Sequence, residues 1–412
     1  MSDDRRGVDS AGEIWGDAQG AGPAASARIA EPATEAAVDV VVVGAGPCGL
    51  AAGIALKRAG LSATILDRSC LVSGIYGYPT FMTFFSTAER LSIGGVPFVV
   101  ASDKPTRRDA LAYYRMIVRH IDLRVRQYEQ VTAIEPLAGG GDAGVRHTAR
   151  HKPAAGPPPD SRMAPTAGGG RTETPRPESA RFESVHPVLE PRFRVHSLTR
   201  AGERRTTDAG AVVIATGYFG HPNRLGVPGE ELPHVTHLFK EGHEAFGQPV
   251  VVVGGGNSAV DAALDLYRAG AAVTIVHFAP ALDPNVKPWV RPDIENRIKE
   301  GSVAARFESR VCAIEPREVV LTTPAGEERV AADHVYLMLG YQPNAELLRT
   351  LDAPIDPATG IPAHDPATME TAVPGVFIAG VLASGYDANK TFIENGRHHG
   401  DLVAAALSTS RR

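Results

Sequence analysis

The fold is decided by the run Val38-Asp39-Val40-Val41-Val42-Val43-Gly44-Ala45-Gly46-Pro47-Cys48-Gly49. Its first half is short, β-branched and closed by glycine, which is typical of a buried parallel strand. A helix-compatible stretch follows over Pro47–Arg58, and the apolar run Ala63–Leu66 predicts the next strand. The sequence therefore predicts a strand–helix–strand unit whose first turn is rich in glycine.

Residues 44–49 fit the pattern G-x-G-x-x-G between that strand and that helix. In this pattern Gly44 permits the tight turn, Gly46 lets the backbone approach a pyrophosphate, and Gly49 lets helix and strand pack closely. The phosphate charge then lies against the helix N-terminus. Asp67 ends the second strand, where a carboxylate can accept hydrogen bonds from an adenosine ribose. We therefore predict a dinucleotide site here.

A second loop of the same kind, Gly254-Gly255-Gly256-Asn257-Ser258-Ala259, is a G-x-G-x-x-A variant that follows the strand-like residues 250–253. Its second strand ends in Val276 and His277 rather than in an acid, which removes the repulsion of a 2′-phosphate. Lys287 and Arg291 follow a short loop later and could donate to that phosphate. We predict NADPH rather than NADH, bound by Gly254, Gly256, Asn257, Ser258, His277, Lys287 and Arg291. An ordinary solvated surface is the alternative for the last three.

Two later segments resemble parts of two-dinucleotide flavoproteins. Residues 212–217, VVIATG, resemble their crossover from the FAD domain to the NAD(P) domain. Residues 374–380, PGVFIAG, resemble their C-terminal FAD motif, although Val381 stands where most relatives have an aspartate. A helix beginning near Asn389 and Lys390 would stabilise the charge of reduced flavin, with a simple N-cap as the alternative for Asn389. The predicted FAD residues are Gly44, Gly46, Pro47, Cys48, Gly49, Asp67, Val131, Thr216, Gly217, Gly380, Asn389 and Lys390.

The predicted fold class is α/β, with two Rossmann-like domains of the three-layer ββα type. Residues 1–37 and 137–190 lack hydrophobic periodicity, so we predict a disordered tail and a disordered insertion. Strand-like runs flank the insertion, which places it at the tip of a β-hairpin, where length costs little. The predicted FAD domain comprises residues 38–136, 191–240 and 343–412, and the predicted NAD(P)H domain comprises residues 241–342.

The chain has 412 residues, 43% of them hydrophobic, and a formal net charge of −5. This composition supports packed cores and argues against a nucleic-acid or anionic-membrane partner. Three scattered cysteines provide neither a disulfide framework nor a metal site. No apolar stretch is long enough for a membrane span, and residues 1–37 contain no apolar run typical of an export signal. We expect a cytoplasmic protein without a structural metal.

Cys48 is the unusual residue of the first loop, because most flavoproteins have a small residue in this turn. The helix dipole favours its thiolate, whereas nearby FAD phosphates oppose it, so the sequence leaves the direction of the pKa shift open. A small buried residue in a tight helix–strand contact is the alternative.

Several runs resemble the bacillithiol disulfide reductase family, relatives of low-molecular-weight thioredoxin reductase. They are GPCGL at 46–50, IYGYPT at 75–80, TFFS at 83–86, LSIG at 91–94, ATGY at 215–218, KPW at 287–289 and FIENG at 392–396. The resemblance covers most of residues 38–136 and 191–405. It implies a homodimer that passes electrons from NADPH through FAD and Cys48 to a small disulfide such as bacillithiol disulfide. Cys70 lies just past Asp67, at the adenosine end of the predicted FAD site, and Cys312 lies in a strand-like run of the NAD(P)H domain. These positions predict structural roles for both, so reduced flavin would resolve the mixed disulfide.

Three other functions remain open. A thioredoxin-reductase-like enzyme that reduces ferredoxin or flavodoxin, a small redox protein, would not need Cys48. A flavin monooxygenase shares ATGYF, but its fingerprint aligned on His237 requires phenylalanine at Glu231 and glycine at Pro233. A redox sensor or scaffold would bind a partner through the insertion. His398 and His399 are expected to be solvated or to pack helices rather than to donate protons.

Overall fold

The computed structural model describes residues 32–137, 189–387 and 390–409. Predictions for residues 1–31 and 138–188 therefore lie outside the described residues. Disorder is predicted for residues 1–37 and 137–190, but the parts of these segments that the structure describes are ordered. Ala33–Thr34 forms a parallel strand, and the Leu189 N–H donates to the Asp39 carboxylate. These residues are ordered because each supplies backbone groups to the first sheet.

The first sheet has eight strands and contains the predicted FAD-loop unit. Its strands are β1 (Ala33–Thr34), β2 (Val38–Val43), β3 (Ala63–Leu66), β4 (Val125–Arg126), β5 (Glu129–Pro136), β6 (Phe193–Thr199), β7 (Arg204–Ile214) and β16 (Val376–Ile378). The order is β4-β3-β2-β7-β6-β5, and β1 and β16 also pair with β7. All six residues of β2 are buried, which explains why five of them are valine. The sixth, Asp39, is buried with its carboxylate accepting from the backbone N–H groups of Ser62 and Leu189.

The second sheet has five parallel strands in the order β11-β10-β9-β15-β8. They are β8 (Val235–Thr236), β9 (Pro249–Val253), β10 (Ala272–Val276), β11 (Ala304–Arg306) and β15 (His334–Leu337). A small antiparallel sheet follows, made of β12 (Arg310–Glu315), β13 (Glu318–Thr323) and β14 (Gly326–Ala331). Because β8 belongs to the second sheet, that sheet begins before residue 241, where the sequence predicted the boundary.

Helices cover the sheets. They are α1 (Pro47–Arg58), α2 (Ser73–Tyr76), α3 (Ala88–Leu91), α4 (Arg107–Ile121), α5 (Asn257–Arg268), α6 (Arg291–Lys299), α7 (Glu346–Thr350), α8 (Ile393–Gly396) and α9 (His399–Thr409). The long helix α4, which the sequence analysis did not identify, begins with reciprocal bonds between Thr106 and Asp109. No helix in the described parts of the chain is both long and apolar enough to span a bilayer.

The chain crosses between the first and second sheets after β7 and again after β15. These two crossover segments run side by side. Pro222 and Tyr341 form an antiparallel bridge between them. The Thr216 hydroxyl donates to the carbonyl of Asn344 over 2.8 Å. The ring of Phe219 stacks on that of Tyr341 with 4.8 Å between centroids. The two domains that contain the glycine loops are thus connected by two segments that bond to each other.

The predicted hairpin is confirmed, because β5 and β6 are antiparallel and Pro136 pairs with Phe193. The predicted C-terminal helix start is wrong. Lys390 lies in a turn, Asn389 lies outside the described residues, and α8 begins only at Ile393. The reason is a cap that the sequence analysis missed: the Asn395 side chain accepts from the Phe392 N–H and donates to the Lys390 carbonyl.

Candidate functional site

The first glycine loop has the shape that a pyrophosphate requires. Gly44 has φ +110°, and a β-carbon there would lie 2.3 Å from the Ala215 carbonyl oxygen. A β-carbon at Gly49 would lie 2.0 Å from the Gly44 oxygen, whereas one at Gly46 would meet nothing within 4 Å. Two glycines are therefore required by packing. The third faces open space at the start of α1, where the backbone can approach a phosphate.

Asp67 lies buried behind this loop. Its Oδ2 accepts from the Ala45 N–H over 2.7 Å, and its Oδ1 accepts from the Ser69 N–H over 2.8 Å. Burial raises the pKa of Asp67, and the two N–H bonds and the Arg68 charge oppose that rise. Each carboxylate oxygen keeps a second lone pair, so Asp67 can still accept from a ribose hydroxyl.

Most of the other predicted FAD residues lie at the same edge of the first sheet. β16 runs parallel to β7, so Gly380 lies near Thr216 and Gly217 at the carboxyl ends of both strands. Val131 is buried in β5, whose first residue, Glu129, bonds to the carbonyl of Asp67. Lys390 is exposed, and its carbonyl accepts a hydrogen bond from Asn395, the residue whose side chain caps α8.

The sulfur of Cys48 packs against two glycines from the far end of the chain, in a residue that as a whole is half-buried. A β-carbon at Gly380 would lie 3.2 Å from Sγ, and one at Gly396 would lie 2.9 Å from it. Burial raises the pKa of the Cys48 thiol to about 12. The position in the first turn of α1 does not offset this burial, so the thiol is protonated at neutral pH. The direction that the sequence left open is thus upward.

His399 fixes the position of Gly380, one of the two glycines beside the Cys48 sulfur. Its Nδ1 accepts from the Gly380 N–H over 3.1 Å. Burial and the neighbouring His364 and His398 lower the pKa of His399, so the ring is neutral. Its side chain therefore fixes the backbone that borders the Cys48 sulfur.

The second loop repeats the geometry of the first. Gly254 has φ +140°, and a β-carbon there would lie 2.4 Å from the Met338 carbonyl oxygen. One at Gly256 would meet nothing within 4 Å, and one at Gly255 would lie 2.5 Å from the His277 ring. The predicted residues Asn257 and Ser258 open α5, and the Asn257 amide oxygen accepts from the Lys287 N–H over 2.8 Å. This loop too can accommodate a pyrophosphate.

The two cations predicted for a 2′-phosphate are already paired within the second domain. Lys287 Nζ lies 2.6 Å from Asp261 Oδ2. Arg291 Nε lies 2.7 Å from Glu295 Oε1. His277 is buried, and burial lowers its pKa, so it is neutral. None of the three therefore offers a free positive charge.

An aromatic contact links the two domains beside the loops. Phe85 of the first domain lies 5.1 Å, ring to ring, from Trp289 of the second. Lys104 Nζ lies 4.2 Å above the Trp289 ring. The Thr80 hydroxyl also donates to the Glu241 carboxylate over 2.9 Å. Residues 83–86 and 287–289, two of the runs that resemble the bacillithiol disulfide reductases, are therefore in contact although they lie far apart in the sequence.

Comparisons with known proteins agree with this geometry. A family model described as pyridine nucleotide-disulphide oxidoreductase matches residues 41–147 and 181–380. Bacilliredoxin reductase Bdr of Bacillus subtilis (strain 168) is 38% identical over 371 residues, which are 89% of this chain and 97% of that protein. The solved bacillithiol disulfide reductase Bdr (YpdA) from Bacillus cereus is 36% identical with a TM-score of 0.76, covering 92% of this chain and 100% of its own. A ferredoxin–NADP reductase of Ignicoccus hospitalis (strain KIN4/I / DSM 18386 / JCM 14125) is 32% identical over 176 residues, which are 41% of this chain and 55% of that protein.

These matches confirm the predicted α/β class with two dinucleotide-binding domains, and they confirm the resemblance on which the sequence analysis relied. The chain is a flavin- and nicotinamide-dependent oxidoreductase. It belongs to the pyridine nucleotide-disulphide oxidoreductase family, in the group of the bacillithiol disulfide reductases.

Proposed function

We propose that the chain uses FAD and NADPH to reduce a low-molecular-weight disulfide of the bacillithiol disulfide type, with Cys48 as the residue that contacts the disulfide. One observation carries the proposal: the helix that begins at the pyrophosphate loop also presents a sulfur, which Gly380 and Gly396 hold in one place. The net reaction consumes one NADPH, one proton and one disulfide and produces NADP⁺ and two thiols.

The residues present fit the two cofactors. Gly46 and Gly256 leave open space for a pyrophosphate at the starts of α1 and α5. Asp67 is held where a carboxylate can accept from the FAD ribose, whereas the corresponding position in the second domain is His277. An acid there would repel a 2′-phosphate, so its replacement by a neutral histidine supports NADPH over NADH.

Cys48 contributes as a nucleophile. FAD, when bound, supplies a two-electron carrier between the nicotinamide and the disulfide. Cys48 Sγ forms a bond to one sulfur of the disulfide while the original S–S bond breaks. Since burial raises the pKa of Cys48 to about 12, the thiol loses its proton during the attack, and the departing sulfur takes it up. The product is one free thiol and one mixed disulfide on Cys48.

The other two cysteines are poorly placed to resolve that mixed disulfide. Cys70 follows Asp67 at the ribose end of the site, and Cys312 lies on β12 beyond the second sheet. The two electrons that release the second thiol would therefore have to be supplied by the bound cofactors rather than by a cysteine pair.

The experiment is NADPH consumption by the purified yellow protein with bacillithiol disulfide. We expect Cys48→Ala to lower kcat at least about 100-fold, because it removes the attacking group. Cys312→Ala is the matched control, since it removes an exposed sulfur outside the site, and its kcat should equal that of the wild type. Equal rates for the wild type and Cys48→Ala, with FAD content unchanged, would remove Cys48 from the reaction.

A second candidate function is electron transfer from NADPH to ferredoxin or flavodoxin. The raised pKa and enclosed position of the Cys48 sulfur favour it, because this activity needs no thiolate. It predicts reduction of ferredoxin at equal rates by the wild type and Cys48→Ala, and rates that fall with ionic strength because acidic carriers are attracted electrostatically. A substrate panel of disulfide, ferredoxin and oxygen separates the candidates, and oxygen consumption with a long-lived oxygenated flavin would instead favour a monooxygenase.

The assembly and location of the protein are part of the same proposal. We expect a cytoplasmic homodimer without nucleic-acid or membrane partners. The curated relative from Bacillus subtilis is named a bacilliredoxin reductase, so a small thiol protein is an additional candidate acceptor. Sedimentation velocity of the holoprotein tests the dimer, and a monomer at micromolar concentration would contradict it.

A further inference from the structure

The loops that follow β10 and β11 form one continuous edge beside the second glycine loop. The His277 N–H donates to the Arg306 carbonyl over 2.9 Å, and the Ser309 N–H donates back to the His277 carbonyl over 3.1 Å. The Glu308 N–H donates to the Ala279 carbonyl over 3.0 Å. In dinucleotide-binding sheets the adenosine ribose lies at this end of the second strand. Residues after β11 therefore lie beside the strand end that borders the ribose position in dinucleotide-binding sheets.

Phe278 and Arg310 project from this edge. The Phe278 side chain is 61% exposed, which is unusual for a phenylalanine on a folded domain. The guanidinium carbon of Arg310 lies 5.2 Å from the centre of its ring. This cation–π contact holds a planar guanidinium in a defined orientation and leaves part of the ring uncovered.

Arg310 differs from its cationic neighbours in having no acidic partner among residues 32–137, 189–387 and 390–409. Arg306, on the adjacent strand, is bound by Glu328. Lys287 and Arg291 are bound by acids on α5 and α6, as described above. Arg310 therefore offers this edge an exposed positive charge that no described carboxylate neutralises.

The chemistry of this pair matches a ribose phosphate. A phosphate monoester carries close to two negative charges at neutral pH and three acceptor oxygens. A guanidinium donates to two of those oxygens at once, and stacking on an aromatic ring lowers the entropy that binding costs. The uncovered part of the Phe278 ring provides an apolar surface against which adenine can pack.

We propose that Arg310, oriented by Phe278, binds the 2′-phosphate of NADPH and sets the preference for NADPH over NADH. The inference rests on the proposed use of NADPH. It assigns to Arg310 the role that the sequence analysis predicted for Lys287 and Arg291.

The test compares the wild type with Arg310→Gln in steady-state kinetics with NADPH and with NADH. We expect the KM for NADPH to rise roughly 10- to 100-fold, because the phosphate loses a charged hydrogen-bonding partner. The KM for NADH and both kcat values should stay unchanged. Arg310→Lys should bind NADPH more tightly than Arg310→Gln does, since lysine keeps the positive charge but lacks the paired N–H donors of the guanidinium. Arg317→Gln is the matched control, because its side chain is 86% exposed in the turn between β12 and β13 of the same small sheet.

A binding measurement without turnover separates this inference from the proposed function. The probes are adenosine 2′,5′-bisphosphate and AMP, titrated into the FAD-loaded protein. The expected result is that the wild type binds the bisphosphate more tightly and that Arg310→Gln binds the two probes alike. If the wild type does not distinguish the probes, the assignment of NADPH fails and the inference with it. If Arg310→Gln still prefers the bisphosphate, only the role of Arg310 is overturned.

Discussion

The two glycine loops have almost the same backbone and different chemical surroundings. Gly44 and Gly254 both have positive φ, and a β-carbon at either would lie within 2.3–2.4 Å of a carbonyl oxygen on a neighbouring strand. The turn that holds a pyrophosphate is therefore the same in both domains. The two side chains that differ most are the residue at the end of the second strand and the second residue of the helix.

At the strand end, the first domain has Asp67, which two backbone N–H groups orient, and the second domain has the buried, neutral His277. On the helix, Cys48 is wedged between glycines, whereas Ser258 of the second domain is exposed. The comparison teaches that the common backbone specifies a dinucleotide. The side chains at these two positions then give the two loops different charge surroundings and place a sulfur beside the first loop.

The largest expected effects come from the loop glycines. Gly44→Ala and Gly254→Ala each require a strained backbone and a clash with a carbonyl, so either should prevent stable folding or cofactor loading. Gly46→Ala should leave the melting temperature of the apoprotein within about 2 °C of the wild type, because it meets no protein atom within 4 Å. It should nevertheless lower the FAD content, because the added methyl group faces the pyrophosphate. A Gly46→Ala protein that keeps full FAD content would contradict the assigned phosphate position.

An intermediate effect is expected at the glycine beside Cys48. A β-carbon at Gly396 lies 2.9 Å from Sγ, so Gly396→Ala should lower the free energy of unfolding by about 1–3 kcal/mol through overpacking. In a Cys48→Ala background the same change should cost less, because the sulfur no longer occupies the space. Urea denaturation of the four proteins in a double-mutant cycle measures the coupling. Strict additivity of the two changes would mean that the two side chains do not compete for this space.

The smallest expected effect concerns pH, and it has opposite signs at the two strand ends. Burial lowers the pKa of His277, so its stabilisation is present above the ordinary histidine pKa, near 6.5, and is lost as pH falls through the folded value. Burial raises the pKa of Asp67, so its contribution is present below the ordinary aspartate pKa and is lost as pH rises. Between pH 7.5 and 5.5 the His277 contribution lowers the denaturation midpoint as pH falls, so His277→Asn should make the midpoint at pH 5.5 closer to that at pH 7.5 than it is in the wild type. An unchanged difference between the two midpoints would show that other groups cause it.

Local patterns predicted most of the sheets and both loops. The bounds of α1 and β3 agree with the sequence prediction, because glycine, proline and β-branched residues act over a few neighbours. The C-terminal helix start was wrong, since Asn395 reaches back to Phe392 and moves the cap. The charges of the cations that follow the second glycine loop could not be judged from sequence alone, because the ion pair between Lys287 and Asp261 forms only in the folded domain.

The sequence by itself determined that this chain builds two dinucleotide-binding units and that a cysteine stands in the first turn after one of them, because both properties depend on contiguous residues. Only the tertiary structure decided what that cysteine experiences. Gly380 and Gly396 arrive from the other end of the chain to enclose its sulfur, and this burial raises its pKa. The same holds for Arg310, which meets Phe278 because two parallel strands end at the same edge. Desolvation and charge pairing depend on neighbours in space, which the order of residues along the chain does not specify.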